Sequence, residues 1–273
     1  MKDTPTLAAR QRWKPSLTVG ASIAAHAAAI GLIALRPTLW PWVVGGLVAD
    51  HALLTASGLW PRSALLGPNW IRLPASATSA RRVALTFDDG PDPEVTPKVL
   101  EILDRHHAPS TFFCIGGRVA AHPDLAREIV RRGHAIENHS QRHLHRFSLL
   151  GPRAMGEEIA AAQDVIASVV GEAPRFFRAP AGLRNPFLDP VLSRFDLRLA
   201  SWTRRGFDTV TRQPDAVLRR LVRRLAAGDI VLLHDGHAAR TAGGSPVVLE
   251  VLPAVLESIA AAGLTPTTLR ATL

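Results

Sequence analysis

Cysteine and tyrosine are almost missing from this 273-residue chain: it has one cysteine, Cys114, and no tyrosine. A lone thiol excludes an intrachain disulfide, and its place inside an apolar run marks it as a small buried side chain. Aromatics amount to only 5%. Nucleic-acid binding needs rings interleaved along a basic stripe, so the net charge of +9 does not make a nucleic-acid-binding protein. That charge is unevenly spread. Residues 1–80 carry seven Lys/Arg against two Asp/Glu, a net of +5, whereas residues 81–273 carry 25 against 21, a net of +4. The chain has no internal repeat and no long low-complexity segment.

Hydrophobic residues make up 47% of the chain and crowd toward its start. After a polar opening with Lys2, Arg10, Arg12 and Lys14, residues 16–35 are apolar apart from His26. A run of about 20 such residues spans a bilayer as a helix. A second run, 39–58, contains Asp50 and His51 and is the weaker span. If both cross, the Lys/Arg-rich flanks, with only Arg36 between the runs, place both ends in the cytoplasm. If one crosses, the domain that follows faces outward. A signal peptide is the third reading, weakened because no small-residue cleavage site closely follows the first run. The expectation is a protein anchored in the cell membrane and in contact with membrane lipid, the side of its main domain open. Its parts are a two-helix membrane segment in residues 1–58, an interfacial linker over 59–80 with Trp60 and Trp70 at headgroup level, and a domain over 81–273.

From residue 81 onward, short apolar strands alternate with amphipathic helices. Strands are expected at 83–87, 111–115, 134–137, 175–178, 197–202, 230–233 and 264–268. Helices are expected at 96–107, 123–132, 152–170, 186–195, 214–227 and 246–262, the first capped by Thr96 with Pro97 at its first position. Such alternation implies a parallel sheet with right-handed crossovers. The fold class is α/β, a distorted (β/α)7 barrel, TIM-like but with a reduced strand number.

Polar clusters fall at the carboxyl ends of these strands, where barrels and open α/β sheets do their chemistry. Thr86-Phe87-Asp88-Asp89-Gly90 ends the first strand with adjacent carboxylates, which cannot both ionise freely unless a metal or an arginine divides them. Glu137-Asn138-His139-Ser140-Gln141-Arg142-His143 follows the third. On a helix or tight turn, His139 and His143 reach one ion, and with Asp89 they form a two-histidine, one-carboxylate set with coordination positions left open, the mark of a catalytic metal. His145 competes as a ligand at poorer spacing. Phe177-Arg178-Ala179-Pro180-Ala181-Gly182 offers a guanidinium fork for a carboxylate and a bent backbone whose N–H groups can face an oxyanion. Ile230-Val231-Leu232-Leu233-His234-Asp235-Gly236 brings a histidine out of an apolar wall, suited to proton transfer.

The motifs TFDDG, HSQRH, RAPAG and LLHDG, in this order and spacing over about residues 81–268, resemble those of the polysaccharide deacetylases, carbohydrate esterase family 4 with its NodB-homology domain. The resemblance implies metal-dependent removal of N- or O-acetyl groups from a glycan or sugar-lipid of the cell envelope. It implies Asp88 as general base, with Asp89, His139 and His143 as ligands of one divalent ion, zinc or else cobalt, nickel or a similar cation. His234 would be the general acid, Arg178 would hold the base, and Leu232 would line the acetyl methyl, with Ala181 and Trp202 also facing substrate. The family's third motif usually has an aromatic where this chain has Ala181. Its acid-orienting aspartate falls in the divergent stretch 201–208 and is assigned to Asp208. Two other functions fit parts of the pattern. One is a membrane-anchored glycan-binding module without turnover. The other is a two-histidine, one-carboxylate iron oxygenase, in which Asp88 and His234 would have no task.

Overall fold

A computed structural model describes residues 13–273. Lys2, Arg10 and Arg12, part of the basic flank expected before the first apolar run, lie outside the described residues. The strands are β1 (Arg82–Asp88), β2 (Thr111–Cys114), β3 (Ala135–Asn138), β4 (Phe176–Phe177), β5 (Arg198–Leu199), β6 (Arg204–Arg205), β7 (Ile230–His234) and β8 (Thr265–Thr267). The helices are α1 (Leu17–Leu35), α2 (Trp40–Leu59), α3 (Ala75–Ser79), α4 (Thr96–Arg105), α5 (Gly116–Ala121), α6 (Pro123–Arg131), α7 (Pro152–Val170), α8 (Leu188–Arg194), α9 (Pro214–Val222) and α10 (Val247–Ala261). All strand pairings are parallel, in the order β5-β4-β3-β2-β1-β7-β6, with β8 on β1. Among the described residues no ladder joins β5 to β6, so the sheet curls without closing. Beyond the seven expected strands there is an eighth, β6, made of two arginines. Strand periodicity cannot flag a pair of charged residues.

The pleat decides what faces the inside of the curl. Successive side chains of a strand point to opposite faces. Val83, Leu85 and Phe87 of β1 and Val231 and Leu233 of β7 belong to the large core under α4, α6, α9 and α10. Ala84 of β1 and Ile230 and Leu232 of β7 belong to a second core inside the curl. Continuing the alternation puts Asp88 and His234 on the inner face, and the two are direct partners in the β1–β7 register.

Proline sits in the first turn of α4, α6, α7 and α9, where its missing N–H costs no helical bond. α7 ends on Gly171 in the left-handed region, φ 77°. Thr96 is not the cap of α4, contrary to expectation. Val95 occupies that position, and the Thr96 hydroxyl instead accepts from the Asp92 N–H at 2.7 Å and donates to Asp235 at 2.5 Å. The competing bond to a buried carboxylate overrides the local capping preference.

α1 and α2 form an antiparallel hairpin long and apolar enough to cross a membrane. The Ser22 hydroxyl donates to Asp50 at 2.7 Å, and the His26 and His51 rings meet Nε2 to Nε2 at 3.3 Å, so the polar groups of the two helices find one another. The hairpin is also fixed to the rest of the chain. Ser16 donates to the Leu65 carbonyl at 2.6 Å, and the Arg184 N–H donates to the Gly58 carbonyl at 3.1 Å. Within residues 59–80, expected as an interfacial linker, Leu73 and Ala77 pack into the core inside the curl, and Leu66 packs against Val19 and Leu54 of the hairpin. Trp70 does not stand free at headgroup level: it bridges to Ala200 and packs edge-on against Phe176, centroids 5.1 Å apart. Covering the open side of the curl wins over an interfacial position. Trp60 remains 63% exposed.

Candidate active site

A cavity of about 810 Å³ opens at the carboxyl ends of the strands. Asp88 ends β1, and Asp89 follows in the left-handed region, φ 72°. Arg178, one residue past β4, is fully buried and donates through Nη1 to Asp88 Oδ1 at 2.6 Å and to the Thr86 hydroxyl at 2.9 Å. Its other nitrogens donate to the Ala200 and Ser201 carbonyls at 3.2 and 2.9 Å, and its guanidinium lies 4.0 Å from the Phe113 ring centroid. Burial pushes the guanidinium pKa down and the Asp88 charge pushes it back. The fork is thereby locked on one carboxylate oxygen, leaving the other free for chemistry.

His139 follows β3. Its Nδ1 donates to the Arg178 carbonyl at 2.8 Å, which orients the ring and turns Nε2 toward Asp89 Oδ1 at 3.2 Å. Residues 139–143 form a bend, not a helix. Asn138 Oδ1 accepts from the Ser140 N–H at 2.8 Å and the Ser140 hydroxyl from the His143 N–H at 3.1 Å. These bonds stabilise positive φ at Ser140 and His143, 63° and 51°, and bring His143 Nε2 to 3.2 Å from the same Asp89 oxygen. The expected i, i+4 pairing of imidazoles is therefore made by a tight turn. His145 lines the cavity but stands outside this three-donor group, its ring 6.2 Å from that of His143.

Asp89 Oδ1 is buried and has no hydrogen-bond partner. Two ligands about 2.0–2.1 Å from a tetrahedral ion stand roughly 3.3 Å apart, close to both 3.2 Å separations. The donor set therefore fits a divalent cation. Burial alone would raise the Asp89 carboxyl, but the His139 and His237 imidazoles against it hold it well below the usual carboxylate range. Burial lowers the His139 ring, yet the Asp88 and Asp89 charges win and raise it. Burial and the His139 charge push His143 down to about 4, keeping it neutral and able to ligate.

His234 ends β7. Its Nδ1 lies 2.9 Å from Asp208 Oδ1, and its backbone N–H donates to Asp208 Oδ2 at 2.8 Å. Burial disfavours the charged ring, but the fully buried Asp208 carboxylate outweighs it and raises His234 to about 9. Leu232, Ala181 and Trp202 all line the cavity. Ala181 holds φ at 55°, and a Cβ at the next residue, Gly182, would strike Trp202 and Pro61, so the bend is pressed against the indole.

All ten site residues expected from the sequence thus gather around one cavity. Others were not foreseen. His237 Nδ1 lies 3.1 Å from Asp89 Oδ2 and is braced by Arg118 at 3.0 Å. Asp235, raised to about 7 by burial against the Thr96 hydrogen bond, fills the space beside Gly90. Arg205 stacks 5.2 Å over Trp202. The histidine at 237, three residues after His234, was the available signal; the register of a two-residue strand gave none for Arg205.

Comparison with known proteins places this geometry in context. A family profile described as Polysaccharide deacetylase matches residues 75–200. A chitooligosaccharide deacetylase of Bradyrhizobium sp. (strain ANU 289) is 36% identical over 161 residues, 59% of this chain and 73% of that protein. A peptidoglycan-N-acetylglucosamine deacetylase of Bacillus cereus is 36% identical over 156 residues, 56% of this chain and 72% of the relative. Among solved structures, a family 4 carbohydrate esterase from Streptomyces lividans in complex with acetate superimposes with a TM-score of 0.61 at 32% identity, covering 68% of this chain and 91% of the other.

Proposed function

Since this chain belongs to the polysaccharide deacetylase family, we propose that it hydrolyses the N-acetyl (or O-acetyl) group of a glycan or sugar-lipid of the cell envelope, from a protein anchored in the membrane by the α1–α2 hairpin. One observation carries the reading: a carboxylate held by a buried arginine and a histidine held by a buried aspartate flank the three-donor cluster in a single cavity. Asp89, His139 and His143 would hold the cation, zinc being the expected one, which when bound supplies Lewis acidity to a water and to the acetyl carbonyl.

Asp88, oriented by Arg178, takes a proton from the attacking water through its free oxygen. As the carbonyl carbon becomes tetrahedral, the N–H at the Ala181 bend faces the developing oxyanion. Leu232 and Trp202 wall the acetyl methyl and exclude solvent. His234 then delivers a proton to the departing nitrogen, the C–N bond breaks, and acetate and a free amine leave. For an acetyl ester the same proton goes to oxygen.

The test is acetate release from an N-acetylated chitooligosaccharide or peptidoglycan fragment. Loss of turnover in Asp88→Asn with unchanged thermal stability supports the assignment. Turnover undiminished in that variant, or absent in the wild-type protein on every acetylated glycan tried, contradicts it, and glycan binding without acetate release would favour the non-catalytic reading.

A further inference from the structure

One loop joins the active site to the hairpin. Ala181 and Gly182 wall the catalytic cavity. Two residues on, Arg184 and then Phe187 wall a second cavity of about 660 Å³, closed on its far side by α1 and α2. Its lining is mainly apolar and runs along α1 from Val19 to His26, eight residues and so roughly 10 Å of helix.

Within that apolar lining sits a buried cation. Arg184 is 4% exposed; its Nη2 donates to the Ser63 carbonyl at 2.5 Å and its Nε has no partner. The neighbouring carboxylate, Asp189, is occupied at 2.7 Å by the Trp13 indole N–H. Burial draws the guanidinium down to about 10, with Asp189 opposing. A buried guanidinium short of acceptors is costly unless an anion joins it. The rim carries a second signal. Leu149 is 83% and Phe187 49% exposed beside the hairpin, at the edge of the cavity. Exposed apolar groups next to two membrane-length helices are what a cavity opening at bilayer depth would present.

We infer that this cavity receives the hydrocarbon chain of a phosphate-linked glycolipid, with Arg184 on the phosphate and the acetylated sugar passed over the 181–187 loop to the active site. The substrate is thus a lipid-linked saccharide drawn from the membrane. This rests on the deacetylase reading and narrows its substrate class. The chain length along Val19–His26 matches the first several carbons of a lipid, and the guanidinium supplies the charge complement that a neutral polymer would leave unmet.

The experiment uses the full-length, zinc-loaded protein in lipid nanodiscs and two substrates bearing the same N-acetylated sugar, one a soluble oligosaccharide and one linked through phosphate to a polyprenyl chain. Acetate release is read as kcat and KM for each. The expected result is a KM at least about tenfold lower for the lipid-linked substrate, with the ratio of the two kcat/KM values falling at least about tenfold in Arg184→Gln. Thr55→Trp, which fills the cavity from α2 and leaves the Arg184 side chain in place, should lower the same ratio, so a misfolded arginine variant leaves the test intact. Equal KM values for the two substrates, or a ratio unmoved by Thr55→Trp, overturn the inference while the deacetylase reading stands. No acetate from either substrate overturns both.

Discussion

Replacing Asp208 by asparagine isolates the proton-donating half of the site. The change is isosteric, and the amide oxygen can still accept from the His234 backbone N–H as Asp208 does at 2.8 Å. What disappears is the negative charge 2.9 Å from Nδ1. That charge, against burial, lifts His234 from the ordinary 6.5 to about 9, on the order of 3 kcal/mol of preference for the protonated ring. Without it, burial is unopposed by its main partner, and the ring titrates at or below its ordinary value. The sign follows directly. His234 must be protonated to donate, so a raised pKa keeps the enzyme competent up to about pH 9, and losing the raise moves the alkaline limb of kcat/KM down. With the ring back at about 6.5, the protonated fraction at about pH 8 drops from roughly nine-tenths to a few per cent, a loss of about thirtyfold, whereas near pH 6 the two proteins differ by less than about twofold. The assay is acetate release across about pH 5.5 to 10, with thermal stability as a control. An alkaline limb that stays near 9 in the variant refutes the assignment of His234 as the acid governed by Asp208.

Three further outcomes follow from the same geometry. Arg178→Met strands the buried Asp88 charge and leaves the Ala200 and Ser201 carbonyls without their donor, so urea denaturation should show a loss of about 3–5 kcal/mol. Gly236→Ala drives a methyl into the Asp89 carbonyl and the Arg118 guanidinium; it should cost about 1–3 kcal/mol and shrink the rise in Tm on adding zinc, a rise that differential scanning calorimetry measures with and without the ion. Cys114, fully buried with its thiol pushed well up by burial, should resist alkylation in the native protein and react at once in denaturant, as mass spectrometry would register.

The strand-helix alternation and the polar clusters at strand ends were readable from the chain because apolar period and proline placement are local. The pairing of Asp88 with His234 follows from the two-residue period of β1 and β7 once their adjacency is known, and adjacency is what sequence spacing alone withholds. His237 and Arg118 escaped because their role depends on a loop returning over Asp89. Thr96 was misread as a cap because the buried Asp235 competes for its hydroxyl, a partner 139 residues away. The anchoring of residues 59–80 to the sheet was equally invisible: the prolines and tryptophans that suggest an interfacial segment also suit a strap over the open side of the curl.

The most direct measurement is a zinc titration of metal-stripped protein, followed by acetate release from an N-acetylated oligosaccharide. Turnover absent without metal, rising with zinc, and abolished when His139→Gln removes one donor is the predicted result. Full turnover in the presence of chelator, or a His139→Gln variant as active as the wild-type protein, would contradict the account.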